Sequence, residues 1–272
     1  MSHLSSANII LRPETPADYH AVEEVSREAF WDNFWGDGQQ ICDEHYLVSK
    51  LRTCPPFMPK LDYVAEIDGK VVGHIIYTKS KIVSDSGHEH EMLTFGPLAV
   101  LPEYQSRGIG RALMFRTFEI AKQLGFRAVI IFGHPDYYPR VGFRRCAEFG
   151  ITTSDGKTFD PFMVYPLYEG ALDGISGKYY IDPVYESLTQ EDALEFDKKF
   201  PPKNLHTLPS IDILLDRLQP DAQRAIKGLN CNFLTIMKTK SEREIRSLEG
   251  INDSAIEVIR AVMRECKLAW GK

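Results

Sequence analysis

Apolar residues along this chain recur at two spacings, every second position and every third to fourth, and the switch between them lays out the elements. Residues 8–12 form a short β-prone run that stops at Pro13. Thr15 and Pro16 then mark a helix start, with Val22, Val25, Ala29 and Phe30 on one face. A loop carrying Trp31 and Trp35 precedes a second helix over 43–51, which ends before Pro55 and Pro56. Strands are predicted over 62–67 and 71–83, joined at Asp68-Gly69, a dipeptide suited to a two-residue hairpin. A third strand spans 91–100. It leads into the stretch 98–124, where an apolar strand end turns through Pro102 and opens an amphipathic helix at Gly108 and Gly110. Residues 127–132, apolar throughout after Arg127, read as a strand buried on both faces.

One strand–helix–strand crossover is thus embedded in an otherwise antiparallel sheet, a mixed α/β (α+β) fold. Residues 149–182 are turn-rich and aromatic, with extra strands or an edge loop centred on 162–168 and 177–181. The pattern changes near residue 200, where prolines bracket a linker. Beyond it the periodicity is helical, over 211–218, 221–229, 233–237, 242–248 and 254–267. Two domains follow, residues 1–204 and a small all-α C-terminal domain over 205–272.

Composition narrows the class. Of the 272 residues, 43% are hydrophobic and 26% charged, and the net charge of −6 argues against a chain that wraps nucleic acid. Residues 205–272 hold 11 Lys and Arg against 9 Asp and Glu, a nearly neutral module. The five cysteines (Cys42, Cys54, Cys146, Cys231, Cys266) never pair as C-x-x-C and read as reduced thiols of a cytoplasmic protein. The start of the chain lacks the pattern of a signal peptide, and no apolar run nears the roughly 20 residues of a membrane helix.

The chemistry concentrates at 98–124. Glycines at a strand-to-helix turn aim backbone N–H groups at one spot, and the helix start adds the positive end of its dipole, a socket for phosphate. A dinucleotide fingerprint would want glycine at Leu113, and a Walker loop needs Gly-Lys-Ser/Thr, which is absent. What remains is Gln105-x-x-Gly108-x-Gly110 after Leu98-Ala99-Val100, with Tyr138-Pro139-Arg140-Val141-Gly142-Phe143 downstream. This resembles the GNAT superfamily of acyl-CoA-dependent N-acyltransferases, in particular a bacterial branch with a GHPxYYPRxGF segment, here residues 133–143. The resemblance spans about 8–200 and includes Arg27-Glu28-Ala29-Phe30 and Gly177-Lys178-Tyr179-Tyr180.

The resemblance implies acetyl-CoA as co-substrate, no metal, and an amine acceptor, small molecule or protein. Backbone N–H groups of Gln105, Ser106, Arg107, Gly108, Ile109, Gly110 and Arg111 would hold the pyrophosphate, with Arg107 or Arg111 adding charge. Leu98, Ala99 and Val100 would pair with the pantetheine arm where this strand splays from the one at 127–132. An N–H near Leu98 would hold the thioester oxygen as charge develops, which Pro97 cannot do. Tyr138 occupies the position whose phenol protonates the departing thiolate. A thiol pKa of about 8.5 and a phenol of about 10 suit that handoff. The amine attacks directly, so Cys146 and Ser106 need no nucleophilic role.

The general base stays open among Glu91, His134, Asp136 and a water chain. Trp31 and Trp35 would wall the acceptor pocket or pack in the core. His88 with His90 lacks a third ligand, and Asp43, Glu44 and His45 diverge on a helix, so neither group makes a metal site. Residues 241–259, within a match of about 233–270, resemble the helix–hairpin–helix part of the C-terminal domain of the bacterial RNA polymerase α subunit. Asn252, which tolerates a left-handed turn, stands where that pattern has its hairpin glycine. The stretch 227–231 lacks the Arg/Asn cluster that touches DNA in that family. A protein partner, self-association or simple capping therefore fits the tail better than nucleic acid. An acyl-CoA sensor acting through this tail is the competing expectation to an enzyme.

Overall fold

The computed structural model of the protein describes residues 9–31, 41–203, 210–229 and 240–266. The chain forms two compact units, one of Met1–Trp31 with Asp43–Phe200 and one of Asp32–Cys42 with Pro201–Lys272. In the first unit β1 (Ile10–Pro13) leads to α1 (Tyr19–Phe30) and α2 (Glu44–Leu51). Then come β2 (Tyr63–Ile67), β3 (Lys70–Val83), β4 (Glu89–Val100), α3 (Ile109–Gln123) and β5 (Ala128–Phe132). The run closes with β6 (Arg144–Arg145), β7 (Ile151–Thr153), β8 (Phe162–Pro166), β9 (Gly177–Tyr180) and α4 (Gln190–Asp197).

These strands make one sheet in the order β1-β2-β3-β4-β5-β8-β6, with β9 against the far end of β3 and β7 beside β9. Neighbours along the main path are antiparallel except β4 and β5, as expected for strands joined through a crossover helix. The hairpin at Asp68-Gly69 forms with both residues at positive φ (50° and 79°), and Ile67 pairs with Lys70 across it. α3 packs on one sheet face: Leu113, Met114, Phe118 and Ala121 are buried with Ile75, Tyr77, Val129 and Ile131. Ile82, Ala128, Ile130, Phe162 and Tyr179 form a separate cluster on the other face. α4, which no apolar period marks in advance, is fastened to α1: Asp197 takes both Nε and Nη2 of the fully buried Arg27, at 2.6 and 2.9 Å.

The second unit contains α5 (Asp212–Leu215), α6 (Pro220–Lys227), α7 (Glu242–Arg246) and α8 (Asp253–Glu265). Leu214, Ala222, Ile226, Ile245, Ile256, Ile259 and Val262 form its core. The helix expected over 233–237 lies outside the described residues. Asn252 is extended (φ −119°) and caps α8 by accepting the Ala255 N–H at 2.9 Å. The left-handed residue of the α7–α8 hairpin is instead Gly250, at φ 94°.

Candidate functional site

β4 changes character at its middle. Ile75 pairs with Leu98 and Tyr77 with Phe95, so Ile76 alone faces Gly96 and Pro97, a β-bulge. On its other edge β4 meets β5 at Leu93 and Val129 only, and no further pair follows toward Val100 and Phe132. The two parallel strands therefore part and leave an opening with one-sided backbone. Leu101 donates its N–H to Val72 O at 2.9 Å, which turns Ala99 toward β3 as well and Leu98 and Val100 toward the opening. Of the three strand residues expected to bind, Leu98 and Val100 thus present their N–H groups, while the backbone of Ala99 is engaged in the ladder. The Gln105 side chain already donates to Val100 O, at 3.0 Å.

The socket lies just beyond. Gly108 is the N-cap of α3 in the left-handed conformation (φ 83°), preceded by Ser106 at φ 61°. The first helical hydrogen bond runs from Ala112 N–H to Gly108 O, at 2.9 Å. The N–H groups of Gly108, Ile109, Gly110 and Arg111 accordingly have no helical acceptor and face outward at the positive dipole end. The Ile109 side chain is buried in the core, leaving only its backbone for a ligand. Arg107 and Arg111 are exposed, their guanidinium groups 5.3 Å from the Tyr104 ring and 5.4 Å from the Phe115 ring. No acidic side chain occupies the first turn of α3. The residues fit an anionic diphosphate.

Tyr138 stands at the start of a 3-10 turn (Tyr138–Val141). Its ring packs 6.1 Å from Phe95, the last β4 residue before the bulge, and 5.1 Å from Phe143. On the β5 side it lies so close over Gly133 that a Cβ there would run into the ring. The phenol therefore bridges the parted strand ends on the α3 face. Burial pushes it well above its ordinary pKa, and neighbouring Tyr137 adds to the shift. Burial likewise pushes the Cys146 thiol up, far from a reactive thiolate.

The face away from α3 is lined with hydroxyls and rings. Thr94 hydrogen-bonds Tyr179 and donates to Ser80 Oγ at 3.2 Å, and Thr78 meets the Tyr185 hydroxyl at 3.2 Å. Among the base candidates, Glu91 is paired with Lys79 at 2.7 Å on the surface. His134 accepts the Asp136 N–H through Nδ1 at 3.2 Å, and both are exposed. Trp31 is buried at the end of α1, its ring 4.6 Å from the Arg27 guanidinium, a packing role. Trp35 lies outside the described residues.

Spacing gives no hint of a buried polar cluster beneath α1 and α2. Glu14, Asp62 and His74 bring ligand-type atoms within 4.8 Å, the one such trio among the described residues. Arg52 supplies the positive charge there, holding Glu14 at 2.5 and 3.0 Å and Glu23 at 2.6 Å. Burial raises Glu14 to about 7 and Asp62 to about 6, and lowers His74 to about 3.

A sequence profile for the acetyltransferase (GNAT) family matches residues 23–146. YjhQ of Escherichia coli strain K12, described as an uncharacterized N-acetyltransferase, is 40% identical over 133 residues, 48% of this chain and 67% of YjhQ. The crystal structure of YhbS from Escherichia coli in complex with CoA superposes with a TM-score of 0.58 at 23% identity, covering 70% of this chain and 98% of YhbS. A GNAT acetyltransferase from Brucella melitensis in complex with acetyl-CoA gives a TM-score of 0.51 at 25% identity, over 66% of this chain and 99% of that one. The chain belongs to the GNAT family of acetyltransferases.

Proposed function

We propose that this protein transfers the acetyl group of acetyl-CoA to an amine by direct attack, with Tyr138 as the acid. The observation that carries this reading is the parting of β4 and β5 beyond Leu93–Val129, with Tyr138 across its mouth. Acetyl-CoA supplies the acyl group as an activated thioester. The N–H groups of Gly108 to Arg111, with Arg107 and Arg111, hold the pyrophosphate, and the Val100 N–H aligns the pantetheine arm. The Leu98 N–H faces the opening and stabilises the carbonyl oxygen as it gains charge. The new N–C bond forms as the C–S bond breaks. The Tyr138 proton passes to the sulfur, the amine releases its own to solvent, and the Tyr138 phenolate takes a proton back from solvent.

The test is thiol release from acetyl-CoA over a panel of amines, repeated with Tyr138→Phe. The parent should release thiol with at least one amine. The variant should lose about 100-fold in kcat, within the usual range for acid catalysis, with a much smaller change in KM for acetyl-CoA. Release with no amine would defeat the enzyme reading, and an unchanged kcat would remove Tyr138 from the mechanism.

A further inference from the structure

We propose that the acceptor carries an aromatic ring and that Phe132 and Phe159 select it by stacking; this rests on the acyl-transfer reading above. The two faces of β5 differ. Val129 and Ile131 join the core shared with α3, whereas Ala128 and Ile130 point to the opposite face, with Phe162 and Tyr179. Alternation puts Phe132 on that second face. Its ring lies 5.1 Å from Phe162, 6.1 Å from Tyr179, and 5.8 Å from Phe159 at an interplanar angle of 15°. Tyr138 packs on the α3 side instead, against Phe95 and Phe143. The acid and the aromatic pair thus flank the same end of β5 from opposite faces.

α3 and Tyr138 occupy one side of the β4–β5 opening, and the proposal assigns the amine to the other, the side of Phe132. Tyr179 touches Phe132 and hydrogen-bonds Thr94 of β4, so buried contacts link the end of β5 to β4 on that face, next to the last β4–β5 pair. The loop bearing Phe159 is held beside β5 by the Gly133 N–H, which donates to Pro161 O at 2.9 Å. Phe132 is 48% exposed and Phe159 45%, while Phe162 beneath them is 1% exposed. Two half-exposed, nearly parallel rings continuous with the reacting end of a strand are unfavourable in water and complementary to a third ring in offset stacking.

The test compares 2-phenylethylamine with hexylamine as acceptors for the full chain, by thiol release. The ratio of kcat/KM should favour 2-phenylethylamine by about tenfold or more, which corresponds to about 1.4 kcal/mol. Phe132→Ala and Phe159→Ala should each bring that ratio toward one through KM, and Phe132→Tyr should keep it. Phe159 lies on an exposed loop, so its variant reports even if Phe132→Ala folds poorly. Equal kcat/KM for the two amines, or a ratio that both alanine variants preserve, overturns the proposal and leaves acyl transfer standing. Absence of release with every amine overturns the acyl-transfer reading itself, and this proposal with it.

Discussion

His45 of α2 lies fully buried with Nε2 3.1 Å from an oxygen of Asp197, yet its pKa falls from 6.5 to about 4. Burial is the largest cause. Asp197 pulls the value up, but the same carboxylate is gripped by Arg27, whose charge pushes it down again. The unfolded chain therefore takes up a proton at this residue near pH 6.5 and the folded one only near 4, so stability from His45 is present above 6.5 and is lost as the pH falls toward 4. His45→Gln has no such proton. Its deficit relative to the parent should shrink by on the order of 1–2 kcal/mol between pH 7 and pH 5, read from urea midpoints. A deficit independent of pH would show that His45 does not titrate in this way. Glu14, raised to about 7, and Asp62, raised to about 6, carry the opposite sign: their stability is present at low pH and is lost as the pH rises through those values.

At the scale of elements, the end of β5 and the 3-10 turn after it act together through Gly133. A Cβ on Gly133 would strike the Tyr138 ring and come within 2.9 Å of Ile131 Cδ1. The φ of Gly133 is not left-handed, so the demand is purely steric. Gly133→Ala should displace the ring and lower kcat by about tenfold or more, while the far-ultraviolet circular dichroism of the chain is retained. An unchanged kcat would mean that the ring position is not what the glycine protects. The bulge at Gly96 and Pro97 and the parting of β4 from β5 belong to the same scale, because each arises from pairing between strands.

Across the whole molecule, each unit buries its own core. Ile256, fully buried, belongs among the described residues to the core of the second unit, with Leu214, Ile226 and Ile259. Ile256→Ala should cost about 2–5 kcal/mol in that unit, seen as an earlier urea transition. The KM for acetyl-CoA should stay within about twofold, because every residue of the socket belongs to the first unit. A large rise in KM would tie the tail to cofactor binding. Among the described residues no helix is long and apolar enough to cross a membrane.

The elements around the site are legible in the sequence because their signals are local. Asp68-Gly69 accepts two positive φ values, Gly108 caps α3, and the unbroken apolar run Ala128–Phe132 is a strand covered on both faces up to Ile131. α4 carries a local signal too, Thr189 accepting the Asp192 N–H, but Ala193 and Phe196 are too few buried positions to establish a period. Motif order alone brings Gln105 to Arg111 and Tyr138 into one family pattern. Only the tertiary structure decides which N–H groups face the opening, because the register against β3 separates Leu98 and Val100 from Ala99. It also assembles Glu14, Arg52, Asp62 and His74, and sets Phe132 beside Phe159 on the face opposite Tyr138. Such groupings join positions far apart in the chain, where spacing carries no information and packing alone determines what meets.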